Sequence, residues 1–342
     1  MGLTTRRESI LRTIVSEYIA AGNAVASKAI ALTDIRVSPA TIRNDVTCLE
    51  EEGYVTRPHP SAGAVPTDRG YRYYVESIDP DTKLPLTDQL LIADVCHDTG
   101  EQLDKRLRLI ATLLAHFVHN AAVVTQPKAS RARLKNLHLV SLHEAVGLLI
   151  VVLYEPTVVR QRTVTWPAPV PQDNLTQIAN RITARLEGMS SDEVEAEVEV
   201  VAAERDLVAQ IADMMREEDK PELGHMYIEG LHLMLSQPEF AKNTRAFTLL
   251  RLVERDDWME SALGPDIDVD GIRVIIGQEN REEALQDLSL VVGSYGSSGK
   301  SKGVIGVVGP RRMDYQRAIS SVNYLASLLS KSLCETYYRE GV

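Results

Sequence analysis

One stretch, residues 38–74, constrains the fold of this 342-residue chain more than any other. It begins Ser-Pro, which is typical of a helix start, because serine can accept a free N–H of the first turn and proline lacks the N–H that would stay unbonded. Ile42, Val46 and Leu49 then recur at helical spacing. A glycine ends this helix, and a short strand, a tight turn at residues 60–63 and a second strand follow. The order predicts the end of a winged helix-turn-helix.

The solvent face of this helix carries residue types that suit DNA. Helical geometry, at about 100° per residue, places Ala40, Thr41, Arg43, Asn44 and Thr47 away from the apolar stripe. Small side chains, hydroxyls, arginine and asparagine can contact base edges and phosphates, and they make a poor catalytic set. A small packing bundle is the alternative, but it does not explain why this face lacks Lys/Glu pairs. The face therefore predicts a DNA-reading helix.

Two further helices are predicted before it. Thr5 and Glu8 fit a capping box, and apolar residues follow at helical spacing until Gly22 and Asn23 stop the helix. Ser27 starts a second, short helix. Three helices followed by a β-hairpin predict a compact DNA-binding module.

The net charge of −11 argues against nucleic acid only when it is taken over the whole chain. Residues 1–78 contain nine Lys/Arg and nine Asp/Glu, so they are neutral, and the rest of the chain carries the excess acid. Phosphate contacts depend on the local field, which decays within about 8 Å at physiological salt. The composition is therefore compatible with DNA binding by the N-terminal segment.

Residues 40–75, ATIRNDVTCLEEEGYVTRPHPSAGAVPTDRGYRYYV, resemble the DNA-binding domain of the heat-inducible transcription repressors (HrcA). These bacterial proteins shut off chaperone operons by binding an inverted-repeat operator. Two positions depart from the family pattern: Pro60 stands where threonine is usual, and Ala64 where the wing usually has an arginine. The second departure predicts the loss of one phosphate or minor-groove contact.

The helix pattern and the resemblance together predict a set of DNA-binding residues. From the recognition helix and its start we expect Ser38, Ala40, Thr41, Arg43, Asn44 and Thr47; from the wing region we expect His59, Ser61, Gly63 and Arg72. The resemblance implies three partners: an inverted-repeat DNA duplex, a second copy of the chain, and a chaperonin that helps the repressor fold and that heat diverts to other clients.

The rest of the chain alternates between predicted helices and strands. A proline-containing linker precedes a mainly helical stretch at residues 87–120, and three strands then read as a meander. About ninety residues of helix follow Pro171, including the run HMYIEGLHLMLSQPEF, before strands return near residue 271 and a last helix closes the chain. We expect the strands on both sides of the helical block to share one sheet, because each set must bury a face.

These patterns and the resemblance predict an α+β protein. The patterns indicate a winged helix-turn-helix followed by a β domain that a helical block interrupts, and the resemblance implies that this domain is a GAF-like α/β domain and that the mainly helical insert mediates dimerisation. The predicted limits are 1–78 for the winged helix, 79–104 for a linker and connecting helix, 105–171 and 265–342 for the two parts of the GAF-like domain, and 172–264 for the insert.

Other patterns that could carry chemistry do not form a site. The run from Gly293 to Lys300 resembles a phosphate-binding loop, but its first glycine is one position too early and a strand follows it where such a loop needs a helix. His116 and His119 have metal-compatible spacing without a nearby carboxylate or cysteine. We therefore predict no catalytic residues, no metal and no cofactor, and an enzyme that binds nucleotide at the Gly/Ser loop is a distant alternative.

The cysteines, the apolar runs and the N-terminus indicate the kind of compartment in which the protein works. Three widely spaced cysteines indicate neither a disulfide framework nor a zinc site, and no apolar run is long enough for a membrane span. The charged N-terminus does not resemble a signal peptide, so we expect a cytoplasmic protein.

The main alternative to a heat-released repressor is a ligand-gated regulator whose effector occupies the GAF-like domain, although no convergent set of polar residues marks a pocket there.

Overall fold

We describe the protein from a computed structural model. It describes residues 3–33, 37–59, 62–79, 82–97, 103–129, 131–143, 145–154, 158–197, 204–219, 223–240, 250–251, 253, 255, 257–264, 271–296 and 301–337. The chain forms two compact units. The first unit comprises Met1–Gln126, His225–Ser294 and Val304–Leu328, and the second comprises Pro127–Gly224, Tyr295–Gly303 and Leu329–Val342.

The first unit begins with a winged helix-turn-helix. Its elements are α1 (Thr5–Ala21), α2 (Ser27–Ile30), α3 (Pro39–Glu51), the antiparallel strands β1 (Val55–Thr56) and β2 (Val65–Pro66), and α4 (Asp68–Glu76). Gly22 takes a left-handed φ of 67° and ends α1, as its sequence predicted. Ile14 on α1 and Leu49 on α3 are completely buried, so the helices share one small core. The predicted winged helix-turn-helix fold is confirmed.

Two helices and a strand continue the first unit: α5 (Leu86–His97), α6 (Leu103–Val118) and β3 (Ala121–Thr125). Helix α6 packs against β3 through a stripe that includes Leu107, Ile110 and Leu114, all fully buried. Every side chain of β3 is buried, which is typical of a central strand.

The second unit is an antiparallel meander covered by helices. It contains β4 (Lys128–Ala129), β5 (Leu134–His143), β6 (Val146–Leu153), β7 (Val159–Thr165), α7 (Gln172–Leu186), α8 (Ser191–Glu197) and α9 (Arg205–Glu218). Strands β5, β6 and β7 pair in that order. Alternate residues of the sheet, among them Leu137, Leu149 and Val151, form one buried cluster with side chains from all three helices.

The chain then returns to the first unit. The later elements are β8 (Met226–Glu229), α10 (Leu231–Leu235), α11 (Trp258–Leu263), β9 (Ile272–Ile276), β10 (Leu288–Gly296), β11 (Ser301–Pro310) and α12 (Tyr315–Tyr337). Strand β10 and helix α12 end in the second unit, and strand β11 begins there. The strand order is β8-β3-β11-β10-β9, with antiparallel pairs between β8 and β3, β3 and β11, and β10 and β9. Strand β4 pairs with Ser301 and Lys302 at the start of β11.

Two expectations about the sheets were wrong. The meander does not share a sheet with the later strands, because α7, α8 and α9 already cover its inner face. The run that begins HMYIEG is not all helix, since Met226–Glu229 forms β8 and pairs with β3. The meander itself and the α+β class are confirmed. The domain limits, and the dimerising role of the insert, stay predictions.

None of the helices in the described part of the chain is long and apolar enough to cross a membrane.

Candidate nucleic-acid interface

Ser38 caps the recognition helix α3. Its Oγ accepts a hydrogen bond from the backbone N–H of Thr41 at 3.2 Å, and the two side-chain hydroxyls lie 2.9 Å apart. Pro39 occupies the first helical position, as predicted. The start of α3 is thereby fixed, and the partial positive charge of a helix N-terminus favours a phosphate close to it.

The two faces of α3 separate as the periodicity predicted. Ile42, Val46 and Leu49 are buried in the winged-helix core. The predicted DNA-binding positions remain accessible: Ala40, Arg43 and Asn44 are exposed, and Thr41 and Thr47 are half-buried. Within the described part of the chain, no hydrogen bond or ion pair engages the side chains of Arg43 and Asn44. These two side chains are therefore available to a ligand.

Asp45, the next residue, is a buried carboxylate that sequence reasoning missed. It is 4% exposed and accepts hydrogen bonds from Arg6 Nε at 2.7 Å and Arg7 Nε at 3.4 Å. The hydrogen bond from Arg6 lowers the pKa of the Asp45 carboxyl, against the opposing effect of burial. The start of α1 is therefore tied to the recognition helix. The sequence signal for this contact was an acidic residue next to the apolar stripe of α3, together with two consecutive arginines near the N-terminus.

A second missed residue, Arg57, lies against the exposed side of α3. Arg57 Nε donates to Glu50 at 2.8 Å, and its Nη2 donates to the Thr47 Oγ1 at 3.2 Å. The Thr47 hydroxyl in turn donates to the Arg43 carbonyl at 3.0 Å. Arg57 directly follows β1, so this chain of hydrogen bonds joins the wing to the recognition helix.

The base of the wing is closed by an isolated β-bridge. Val25 and Ala64 form an antiparallel bridge with N–H···O distances of 2.9 and 2.8 Å. A Cβ on Gly63 would lie 2.5 Å from the Val25 carbonyl carbon, so only glycine fits without movement. Gly63 was predicted to contact DNA, and in the structure it allows the close approach of two backbone segments. Its contact with DNA stays a prediction.

Position 64 has a packing role in this chain. The Ala64 side chain is 1% exposed, in the core of the wing base. The alanine that stands where the family usually has an arginine is therefore a buried residue.

His59 is exposed near the tip of the wing, where its carbonyl accepts the Ala62 N–H at 2.8 Å. Ser61 lies outside the described residues.

Arg72, the last predicted DNA-binding residue, lies on α4 and is engaged inside the protein. Its Nε donates to Glu279 Oε1 at 2.8 Å, and its Nη2 donates to the Val274 carbonyl at 2.7 Å. The guanidinium therefore links the winged helix to the end of β9. Its contact with DNA stays a prediction.

Other contacts of the same helix support this link. Asp68 accepts hydrogen bonds from the Gln278 N–H at 3.0 Å and from Arg311 at 3.2 Å. The rings of Tyr71 and Tyr315 pack with centroids 5.8 Å apart. Helix α4 is thus anchored to the sheet of the first unit by charged, polar and aromatic contacts.

A cleft of about 730 Å³ lies beside α4 in the first unit. Arg311 and Arg312 line it together with acidic residues. Arg311 pairs with Asp68 and Asp287, and Arg312 pairs with Glu239. These internal pairs engage two of the three arginines that line the cleft; the third, Arg69, donates to the Glu52 carbonyl at 2.8 Å and lies over the Tyr54 ring. Among the described residues, no group of three or more His, Cys, Asp or Glu could hold a metal ion.

Comparison with known proteins decides the family. The model of the HrcA winged helix-turn-helix DNA-binding domain matches residues 2–77, and the model of the HrcA C-terminal domain matches residues 104–319. The chain belongs to the HrcA family of heat-inducible transcription repressors. It is therefore a transcription regulator and not an enzyme, and its winged helix is a DNA-binding domain.

Relatives in several bacteria match the chain along its whole length. A "Heat-inducible transcription repressor HrcA" of Dehalococcoides mccartyi (strain CBDB1) is 38% identical over 99% of both chains. Proteins of the same description from Roseiflexus castenholzii and Thermomicrobium roseum are 35% identical, over 99% and 97% of this chain and 97% and 96% of their own. A crystal structure titled as that of a hypothetical protein, 23% identical, covers 98% of this chain and all of its own with a TM-score of 0.59, which indicates a shared fold.

Proposed function

We propose that this repressor binds an inverted-repeat operator of chaperone operons as a homodimer and releases it under heat stress. The observation that carries the proposal is the exposed face of α3, where Arg43 and Asn44 have no partner in the described part of the chain. Arginine can donate two hydrogen bonds to guanine, and asparagine can pair with adenine in the same way. An anchored helix with two free reading side chains is suited to the major groove.

The other predicted positions on α3 complete this surface. Ala40 is small enough to allow close approach to a base pair, and Thr41 lies in the first turn beside the Ser38 cap. Thr47 donates its hydroxyl proton to the Arg43 carbonyl, so it offers DNA its methyl group and one remaining acceptor site. We propose that Arg43 and Asn44 specify bases and that Ser38 and Thr41 position the phosphate backbone.

An inverted repeat has two-fold symmetry, and a symmetric dimer matches it. Support for a dimer comes from the outer sheet face, which we define as Val140, Leu148, Ile150, Val152 and Val159. The registers β5·β6 and β6·β7 put these side chains on the same side of the meander, opposite the buried cluster. Val140 is 38% exposed and Val159 57%. These five apolar side chains share the face with the exposed polar residues His138, Gln161 and Thr163, and an apolar cluster with polar neighbours is typical of an interface.

Heat release through a chaperonin is the part of the proposal that rests on the family resemblance. We propose that the chaperonin helps this chain reach its DNA-binding state. The test is refolding from denaturant with and without purified chaperonin, followed by measurement of active repressor. Equal recovery in both reactions would count against the mechanism.

A ligand-gated regulator is the alternative function. The cleft beside α4 has a suitable volume, but Arg311 and Arg312 are already paired with acidic side chains, which makes them less available to an anionic effector. Thermal stabilisation of the chain by a small metabolite, together with a change in DNA affinity, would support this alternative.

The proposed DNA binding can be tested without knowing the operator. Repeated selection from a randomised duplex library with the full-length chain should enrich inverted repeats. Scrambling one half-site of the selected duplex should then weaken binding strongly. Enrichment of asymmetric sites, or no enrichment at all, would contradict the proposal.

Arg43 gives the matching test at the level of one residue. We expect Arg43→Ala to cost about 1–3 kcal/mol of binding to the selected duplex and to relax the preference for one base pair per half-site. Arg131→Ala, which removes an exposed arginine of the second unit, is the control and should bind normally. Unchanged affinity of a folded Arg43→Ala protein would overturn its assignment.

A further inference from the structure

We infer that Arg57 is a further DNA-contacting residue and that Glu50 is the positioning residue that holds it beside the recognition helix. This inference rests on the proposed operator binding and adds a residue to its surface. Arg57 directly follows the wing strand β1, yet its guanidinium lies against Thr47, one of the α3 positions proposed to contact DNA.

Glu50 fixes both the backbone and the side chain of Arg57. Its Oε1 accepts the Arg57 backbone N–H at 3.2 Å, and its Oε2 accepts Arg57 Nε at 2.8 Å and also Nη2. The hydrogen bond from the Arg57 guanidinium lowers the pKa of the Glu50 carboxyl, so Glu50 is a carboxylate at neutral pH. Two hydrogen bonds from the guanidinium and one from the backbone N–H to the same carboxylate leave the Arg57 side chain little freedom to rotate.

The guanidinium still has donors to offer. Its Nε and Nη2 are used by Glu50 and Thr47, whereas the two N–H groups of Nη1 have no partner among the described residues. The Arg57 side chain keeps 17% of its surface exposed, so a ligand can reach it. A partly buried, pre-oriented arginine at the edge of a reading helix is suited to a phosphate oxygen, since its geometry is fixed before binding.

Glu50 carries a negative charge near the same surface, and this charge affects DNA affinity in two opposing ways. It repels DNA in general, while it directs Arg57 to one position. A positioning role therefore predicts that removal of Glu50 strengthens binding to unrelated DNA and reduces discrimination. A purely structural role, in which Glu50 only joins the wing to α3, predicts weaker binding to every duplex together with lower thermal stability.

The experiment measures full-length variants on two duplexes, the one selected by the unmodified chain and a mixed-sequence duplex of equal length, from about 50 to 200 mM salt. We expect Arg57→Ala to weaken binding about 5- to 10-fold on both duplexes and to reduce the slope of log affinity against log salt by about one per chain. Arg57→Lys should keep most of that slope, and Arg131→Ala should leave it unchanged.

Glu50→Ala should bind the mixed-sequence duplex more tightly than the unmodified chain does, and its preference for the selected duplex should fall about 5-fold or more. Melting temperatures of all variants identify any that are unfolded; if Arg57→Ala is one of them, Arg57→Gln replaces it.

A folded Arg57 variant with normal affinity and normal salt slope would overturn the role of Arg57. Weaker binding of Glu50→Ala to both duplexes would overturn its positioning role. If the unmodified chain selects no sequence, the proposed function itself fails, which is a distinguishable result.

Discussion

Three consecutive residues of the recognition helix have three different environments. Arg43 and Asn44 are exposed without partners in the described part of the chain, and Asp45 is buried between two arginines of α1. The periodicity of α3 identified the first two, because exposure follows from the position of the apolar stripe. It did not identify the burial of Asp45, since that depends on a partner 39 positions away in sequence.

The buried carboxylate leads to a prediction for stability. Asp45→Asn should destabilise the protein by about 1–3 kcal/mol at pH 7, because it weakens charged hydrogen bonds to Arg6 and Arg7. The folded pKa of Asp45 is below the usual value, so its contribution is full above about pH 4 and is lost as the pH falls through the folded pKa. The difference between variant and unmodified chain should therefore shrink in urea unfolding at about pH 3.

Glu51→Gln, on the same helix but exposed, provides the control and should change stability little at either pH. A difference for Asp45→Asn that stays constant from neutral to acid pH would show that the carboxylate charge has no such role.

At the scale of elements, the sequence predicted helix ends better than it predicted partners. The cap at Ser38 and the stop at Gly22 depend on local geometry, and both are confirmed. The capping box at Thr5 and Glu8 was wrong, because α1 begins at Thr5 without a side-chain cap. The Glu8 carboxylate instead accepts the Tyr73 hydroxyl at 2.6 Å and raises the pKa of Tyr73 to about 12. A tertiary contact replaced the local one.

The wing gives a prediction that separates structure from DNA contact at Gly63. Gly63→Ala should destabilise the protein by about 1–3 kcal/mol, because the added methyl meets the Val25 backbone. Thermal unfolding of the variant and of Thr56→Ala, an exposed position on β1, would measure this. A Gly63→Ala protein that melts normally and binds DNA weakly would instead favour a direct contact.

Helix α4 gives a prediction about Arg72. In a double-mutant cycle, Arg72→Ala and Glu279→Gln should show a coupling of about 0.5–1 kcal/mol in unfolding experiments, since the pair is partly exposed. The same two variants also test the role of Arg72 in DNA binding. If Arg72 contacts DNA, only its own substitution will weaken operator binding; if it acts through α4, both variants will have similar effects.

At the scale of the whole molecule, the strands were predicted and their assignment to sheets was not. Alternation and β-branched residues identify β5, β6 and β7 individually. Which layer covers a sheet depends on contacts between distant segments, and here the helices of the second unit cover the meander. Strand β8 was missed for the same reason, because its four residues are stabilised by pairing with β3, about a hundred positions earlier.

The outer sheet face gives the prediction for oligomeric state. If the proposed dimer forms through this face, Val159→Glu should make the protein a monomer, because it places a charge in the interface. Light scattering after gel filtration would give the masses, and operator affinity should fall about 100-fold or more as the two half-sites are no longer bound together. Leu32→Glu, an 89% exposed leucine of the first unit, should leave the mass unchanged. A dimeric Val159→Glu protein would exclude this face.

The apolar character of the outer sheet face also has a thermal consequence. Association driven by apolar burial weakens on cooling rather than on moderate warming. A pair of chains joined through this face should therefore survive a mild temperature upshift, and cold storage at low concentration should be the condition that separates them. In the proposed heat response, the step that ends repression would then precede separation of the proposed dimer.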